Sequence, residues 1–257
     1  MRWICTLVMV LWLCFPAFGA VKTERIEYKQ GDTVLEGFLA YDDALTGKRP
    51  AVLVSHAWKG LTSYEEMRAK MLAELGYVAF AVDIYGKGVR AKDFNEAGQL
   101  SGKYKGDRKL LRARVNAGLD YLKAHARVDA SKIAAIGYCF GGTTVLELAR
   151  SGATLAGVVS FHGGLDSPTP KDAKAIKTKV LVLHGGDDPY VKDPELLAFM
   201  NEMRGAKVDW QLMSYGNALH TFTDKGYTDR SMGAVYDELA DRRSWEHMKL
   251  FFAEILR

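Results

Sequence analysis

Cysteine is scarce in this chain and unevenly placed. Cys5 and Cys14 lie among the first twenty residues, and Cys139 stands alone in the rest. One thiol cannot close an internal disulfide, so burial rather than cross-linking must hold the fold. Proline is sparse, with 6 in 257 residues, and the 25 glycines follow no obvious period, which excludes collagen-like and low-complexity chains. No apolar run reaches the roughly 20 residues of a transmembrane helix. Charge of one sign is also lacking: 35 basic residues face 31 acidic ones, a net +4 without a basic block. Lys103-Tyr104-Lys105 and Arg108-Lys109 flank Asp107 and read as a solvated helix face, so no nucleic-acid partner is expected. The histidines and the lone Cys139 have no metal-ligand spacing, and Gly141-Gly142 lacks the later glycine and acidic partner of a dinucleotide loop. No metal or cofactor is called for.

What is present is an ordinary globular composition. At 48% hydrophobic and 26% charged the chain is too apolar for disorder, and its length suits one α/β domain. The first residues stand apart. Arg2 is the only charge before Lys22, Ile4 to Phe18 is almost wholly apolar, and Pro16-Ala-Phe-Gly-Ala20 offers a small-residue exit. This is the pattern of a secretory signal peptide over residues 1–20. Cleavage after Gly19 puts Ala17 at the third position back, whereas cleavage after Ala20 puts bulky Phe18 there. The mature chain is therefore expected to start at Ala20 or Val21, to be periplasmic or secreted, and to keep no membrane span. The domain is residues 21–257. An uncleaved anchor is the alternative, against which the shortness of the apolar run counts.

Strands and helices alternate along the mature chain. Arg25–Lys29 and Thr33–Tyr41 flank Gly31-Asp32 as a hairpin. Ala51–Ser55, Tyr77–Val82, Lys132–Gly137, Leu155–Phe161, Lys179–Leu183 and Val208–Ser214 read as short buried strands. Helices are expected from Ser63 to Gly76, with Glu66 completing a capping box and Met67, Met71, Leu72 and Leu75 facing the core. Others are expected over Arg108–Ala126, Phe140–Arg150, Pro194–Arg204 and Arg242–Leu256, the last with Trp245, Met248, Leu250, Phe251 and Phe252 as its apolar surface. Glycine-dotted Asp83 to Gly106 is expected to be a flexible loop. The order predicts a single α/β domain: a mostly parallel sheet after an antiparallel hairpin, with helices on both faces.

The chemistry concentrates at Cys139. A hydrophobic strand ends in Gly137-Tyr138-Cys139-Phe140-Gly141 and runs straight into a helix, the nucleophile-elbow pattern with a thiol as nucleophile. The helix N-terminus favours a thiolate and any oxyanion nearby. A buried structural cysteine is the alternative. A nucleophile needs a base, and the base an orienting acid, in the chain order nucleophile, acid, His. His184-Gly-Gly-Asp187-Asp188-Pro189 and Ala218-Leu219-His220-Thr221-Phe222 follow later strands and supply both. Asp188 is the expected orienter, with Asp187 as rival, and His220 the base.

These segments, with Gly76-Tyr77-Val78-Ala79 and Asp83-Ile84-Tyr85, resemble the dienelactone hydrolase family of α/β-hydrolases over about residues 24–256. The resemblance implies the α/β-hydrolase fold, a Cys139–His220–Asp188 triad, a small-molecule ester or lactone substrate and an acyl-enzyme without a metal. It implies an oxyanion hole from the backbone N–H groups of Phe140 and Ala57. Family members acting on dienelactone carry a Glu just before that second donor, where His56 stands here, and use arginines on a substrate carboxylate, for which Arg90 is the candidate. His56 is expected either to tune the thiol or substrate or to bond within its own loop. Trp58, Tyr85, Phe140 and Phe222 are candidates for an apolar acyl pocket, or else core. Two readings from other classes compete: a binding protein on a hydrolase scaffold, and a redox-sensing thiol protein.

Overall fold

In the computed structural model, residues 20–257 are described; the expected leader lies outside them except for Ala20. The chain begins with the hairpin β1 (Val21–Gln30) and β2 (Thr33–Asp42), paired from Val21↔Asp42 to Gln30↔Thr33. Then β3 (Arg49–Ser55), α1 (Ser63–Glu74), β4 (Val78–Val82), α2 (Phe94–Gly106), α3 (Arg108–Ala124), β5 (Val128–Tyr138) and α4 (Phe140–Arg150) follow. The chain finishes with β6 (Gly157–Phe161), β7 (Lys179–Gly185), α5 (Asp193–Ala206), β8 (Trp210–Tyr215) and α6 (Glu238–Ile255). The eight strands form one sheet in the order β1-β2-β4-β3-β5-β6-β7-β8, parallel from β4 to β8 and antiparallel at the hairpin.

The central strands are apolar on both sides because both sides are covered. Ala51 and Leu53 of β3 pack with α3, α4 and α5 residues such as Leu111, Val145 and Phe199. Their neighbours Val52 and Val54 pack on the opposite face with Leu72 of α1 and Phe251 and Phe252 of α6. Period-two alternation thus divides one run between two cores. After β3 the chain goes to β4 on one side, then returns to β5 on the other. The carboxyl ends of β3 and β5 therefore meet at a topological switch point, where open α/β sheets leave a crevice. Among the described residues no helix is long and apolar enough to cross a membrane.

Three expectations need correction. The stretch expected as loop from Asp83 to Gly106 contains α2, capped by the Asp93 side chain on the Glu96 N–H. Gly98, Gly102 and Gly106 sit where an added Cβ would meet nothing, so they mark exposed helix rather than loop. The capping box of α1 is Thr62 with Glu65, one residue earlier than expected. The buried side of α1 carries Glu65, Arg68, Ala69, Leu72 and Ala73, whereas Met67 and Leu75 face solvent.

Candidate active site

The elbow is built by close packing. β5 delivers Tyr138 to the end of the sheet, Cys139 takes φ 53° and ψ −116°, and α4 starts at the next residue. Positive φ in a non-glycine residue is strained by about 1–3 kcal/mol, so its surroundings must impose it. A Cβ at Gly137 would run into the Gly141 carbonyl, and one at Gly141 into the Ser55 carbonyl of β3. Glycine at both positions lets the strand, helix and neighbouring strand approach. The Cys139 N–H donates to Phe161 O at 3.0 Å and to His162 Nδ1 at 3.1 Å.

Facing the thiol is His220, on the loop after β8. Its Nε2 lies 3.1 Å from Cys139 Sγ, and its Nδ1 lies 2.7 Å from Asp188 Oδ2. The other Asp188 oxygen accepts the Tyr190 N–H at 2.9 Å. Asp188 is buried and Asp187 is exposed. Only Asp188 meets the histidine. Burial by itself pushes the Cys139 thiol up; the charge and hydrogen bond of His220, and the Phe140 N–H on sulfur, outweigh it and leave the thiol below its ordinary value. For His220 burial disfavours the cation, but the thiolate opposite and the Asp188 carboxylate prevail and raise it to about 10. The two shifts agree in sign: each group favours the charged form of the other, thiolate facing imidazolium.

The oxyanion donors divide. The Phe140 N–H adjoins the sulfur and favours its thiolate form. The Ala57 N–H is directed elsewhere, donating to the buried Glu65 carboxylate at 3.0 Å, so the expected second donor is committed. One residue on, Trp58 lines the cavity in front of Cys139, and its backbone N–H has no acceptor among the described residues. His56 does not touch the thiol. It is fully buried, its Nδ1 lies 2.7 Å from Ala57 O, and its Nε2 accepts the Ile84 N–H at 3.2 Å. Burial lowers it to about 4, so it is neutral with the proton on Nδ1, and its bonding is within the loop and to β4's end.

Other expected contacts fall outside the cavity. Arg90 spends its guanidinium on the carbonyls of Leu61 and Val89. Tyr85 is buried beneath the loop, donating to Trp58 O at 2.9 Å. Phe222 is fully buried against His162 and Tyr215. The cavity, of about 410 Å³, is walled by the expected Trp58 and Phe140 and, beyond them, by Phe94, Tyr190, Tyr227 and Met232. Trp58 stacks on Phe94 with ring centroids 5.5 Å apart and donates its Nε1–H to the Tyr227 hydroxyl at 3.0 Å. Tyr190 sets its ring against His220, with centroids 5.1 Å apart. The cationic lining residue away from the triad is Lys105, 3.4 Å from Asp166. Phe94, Tyr227 and Met232 were missed because their segments show no strand-end motif. The Asp93-x-x-Glu96 spacing was the available signal for the first of them. Among the described residues no three of His, Cys, Asp and Glu converge as a metal site would require.

Known proteins agree with this architecture. The solved structure named m3DLH is 44% identical, superposes with a TM-score of 0.90, and is matched over 93% of this chain and 100% of its own. A dienelactone hydrolase-like promiscuous phosphotriesterase from metagenomic libraries is 42% identical, with a TM-score of 0.88 and the same coverage. A Bradyrhizobium sp. protein named "Probable 2-oxo-3-(5-oxofuran-2-ylidene)propanoate lactonase" is 30% identical over 90% of this chain and 95% of its own. The sequence model of the dienelactone hydrolase family matches residues 35–256, nearly the whole sheet and the elbow. With that match the chain belongs to the dienelactone hydrolase family of α/β-hydrolases, as a hydrolase of ester or lactone bonds.

Proposed function

We propose that this chain is an exported thiol hydrolase that cleaves neutral carboxylic esters or lactones through a Cys139 acyl-enzyme. The observation that carries the reading is the alignment of Cys139 Sγ, His220 and Asp188 at 3.1 and 2.7 Å beside an open cavity. The thiolate attacks the substrate carbonyl carbon, and the carbonyl oxygen becomes an oxyanion. The N–H groups of Phe140 and Trp58 receive that charge. The tetrahedral intermediate collapses, the C–O bond breaks, and His220 Nε2 gives its proton to the departing alkoxide. A thioester remains. His220, now neutral, takes a proton from water, whose oxygen attacks the thioester and expels the thiolate. Asp188 holds Nδ1–H and stabilises the imidazolium throughout.

The lining supports a neutral substrate with an apolar or aromatic group. Of the cations nearby, Arg90 is bound to backbone carbonyls, Lys105 shares Asp166 with Arg108, and Lys59 lies over the Phe94 and Tyr227 rings. A screen of purified residues 20–257 should therefore find aryl and alkyl esters turned over well ahead of analogues bearing a second carboxylate. Neutral phosphotriesters belong in the same screen, given the name of the 42%-identical relative. Cys139→Ala should abolish ester turnover, and mass spectrometry of the wild type should trap the acyl group on Cys139. Wild-type rates in Cys139→Ala would remove the mechanism. Absence of turnover with tight ligand binding would favour a binding protein, and oxidation without turnover a redox sensor.

A further inference from the structure

Of the carboxylates buried apart from Asp188, which include Asp83 and Glu147, Glu65 is the one bonded to the loop that carries Trp58. Glu65 lies in the first turn of α1, only 1% exposed, beneath the 56–62 loop that carries Trp58. Its Oε1 accepts the Ala57 N–H at 3.0 Å, and its Oε2 accepts the Thr62 N–H and Thr62 Oγ1–H, both at 2.8 Å. A capping-box glutamate needs only the second of these bonds, back to its own N-cap. Here the remaining oxygen reaches to the loop's start, so one carboxylate ties both ends. Such a site is expensive. Burial raises the Glu65 pKa, and the three donors offset that rise in part. A surface cap would avoid this cost.

The loop is held from above as well. Tyr85 Oη–H donates to Trp58 O, and Trp58 Nε1–H donates to Tyr227 Oη. Carbonyl, ring and preceding peptide are all fixed around Trp58, while its own N–H is left without an acceptor among the described residues. We propose that Glu65 is a positioning residue of the oxyanion hole: its carboxylate takes the Ala57 N–H and locks the loop so that the Trp58 N–H stays available to the acyl oxygen. This rests on the acyl-enzyme reading above.

Two reactions of the same sulfur separate positioning from folding. Ester acylation develops an oxyanion. Alkylation by iodoacetamide does not: the thiolate forms an S–C bond and iodide leaves. In Glu65→Ala, kcat for an activated aryl ester should fall about 10²-fold with KM little changed, the loss expected when a catalytic donor is misplaced. The alkylation rate of Cys139 and its pH midpoint should stay at wild type. Glu65→Gln, which keeps an oxygen for Ala57 N–H but turns an amide toward Thr62 N–H, should fall between, and it serves alone if the alanine variant does not fold. Ester turnover within about two-fold of wild type would overturn the proposal. So would a parallel loss of alkylation, which would make Glu65 a determinant of folding only. Cys139→Ala is assayed alongside; ester turnover surviving there would strike the acyl-enzyme reading, not the place of Glu65.

Discussion

At the scale of single residues the site is a balance between burial and pairing. Burial opposes both the Cys139 thiolate and the His220 imidazolium, and each charge exists because the other faces it. Removing one partner therefore has a definite sign. In His220→Asn the sulfur keeps its burial and the repulsion of Asp188 but loses its cation, so its titration should move above the ordinary 9.0. Iodoacetamide alkylation against pH reads this directly: the wild-type midpoint should lie below 9.0 and the variant's above it. Equal midpoints would show that His220 does not set the thiolate. On the proposed mechanism, turnover in the wild type needs thiolate and imidazolium together. It should fall on the acid side as the thiol protonates, and on the alkaline side as His220 deprotonates near 10. These two limits belong to the pair.

The sequence favours Asp188 over its rival Asp187 only weakly, because either neighbouring carboxylate in a strand-end loop suits the chemistry. Backbone direction decides it: the Asp188 side chain turns inward to His220 Nδ1, and Asp187 faces solvent. Asp188→Asn should lower kcat by up to about 10⁴, less if the preformed thiolate needs little help from the base. Asp187→Asn should leave it unchanged. A larger loss at Asp187 in steady-state ester kinetics would reverse the assignment.

At the scale of elements, what was legible is what local chemistry determines. β5, the elbow and α4 stand out because an apolar run meets two glycines that only a crowded strand-to-helix turn requires. α2 was hidden by its glycines, and α1 was misread because apolar spacing cannot show that a buried face carries Glu65 and Arg68. Those two polar residues are inside because distant partners satisfy them: Ala57 N–H for the first, and Thr223 O and Asp241 for the second, each at 2.7 Å from the guanidinium. The cavity wall from Phe94 and Tyr227 is equally tertiary. In α6 the expected apolar surface is uneven: Met248 is fully buried, whereas Leu250 is 69% exposed. Met248→Ala should cost about 2–5 kcal/mol through the cavity left behind. Leu250→Ala should stay within about 0.5 kcal/mol. Denaturant melts of both, with m-values unchanged, check the difference, and similar losses would contradict the packing.

The whole molecule places Cys139 at the sheet's switch point, on a sheet whose described pairing opens with β1. β1 begins at Val21 and pairs with β2 without a break, and Val21 packs on the core shared by α1 and α6. A chain starting at Ala20 or Val21 therefore keeps the strand pairs and the site seen among the described residues. The leader pattern ending in Ala17-Phe18-Gly19-Ala20 motivates the proposal of export. Two measurements test it. A chain lacking residues 1–19, made without the leader, should melt at the temperature of the processed protein and hydrolyse esters at the same rate. N-terminal sequencing of the exported protein should begin at Ala20 or Val21, and an exported pool still carrying Met1 would exclude a cleaved leader. The export proposal has a chemical consequence as well. Cys139 would meet oxidising surroundings with its thiol held below its ordinary value, which favours the readily oxidised thiolate, and with no second cysteine in the mature chain to trap it as a disulfide. Exported protein purified without reductant should lose ester activity in proportion to sulfenic acid on Cys139, counted by dimedone labelling, and a thiol added early should restore it. Full activity after prolonged aerobic handling would mean that the cavity shields the sulfur from oxidants while admitting esters.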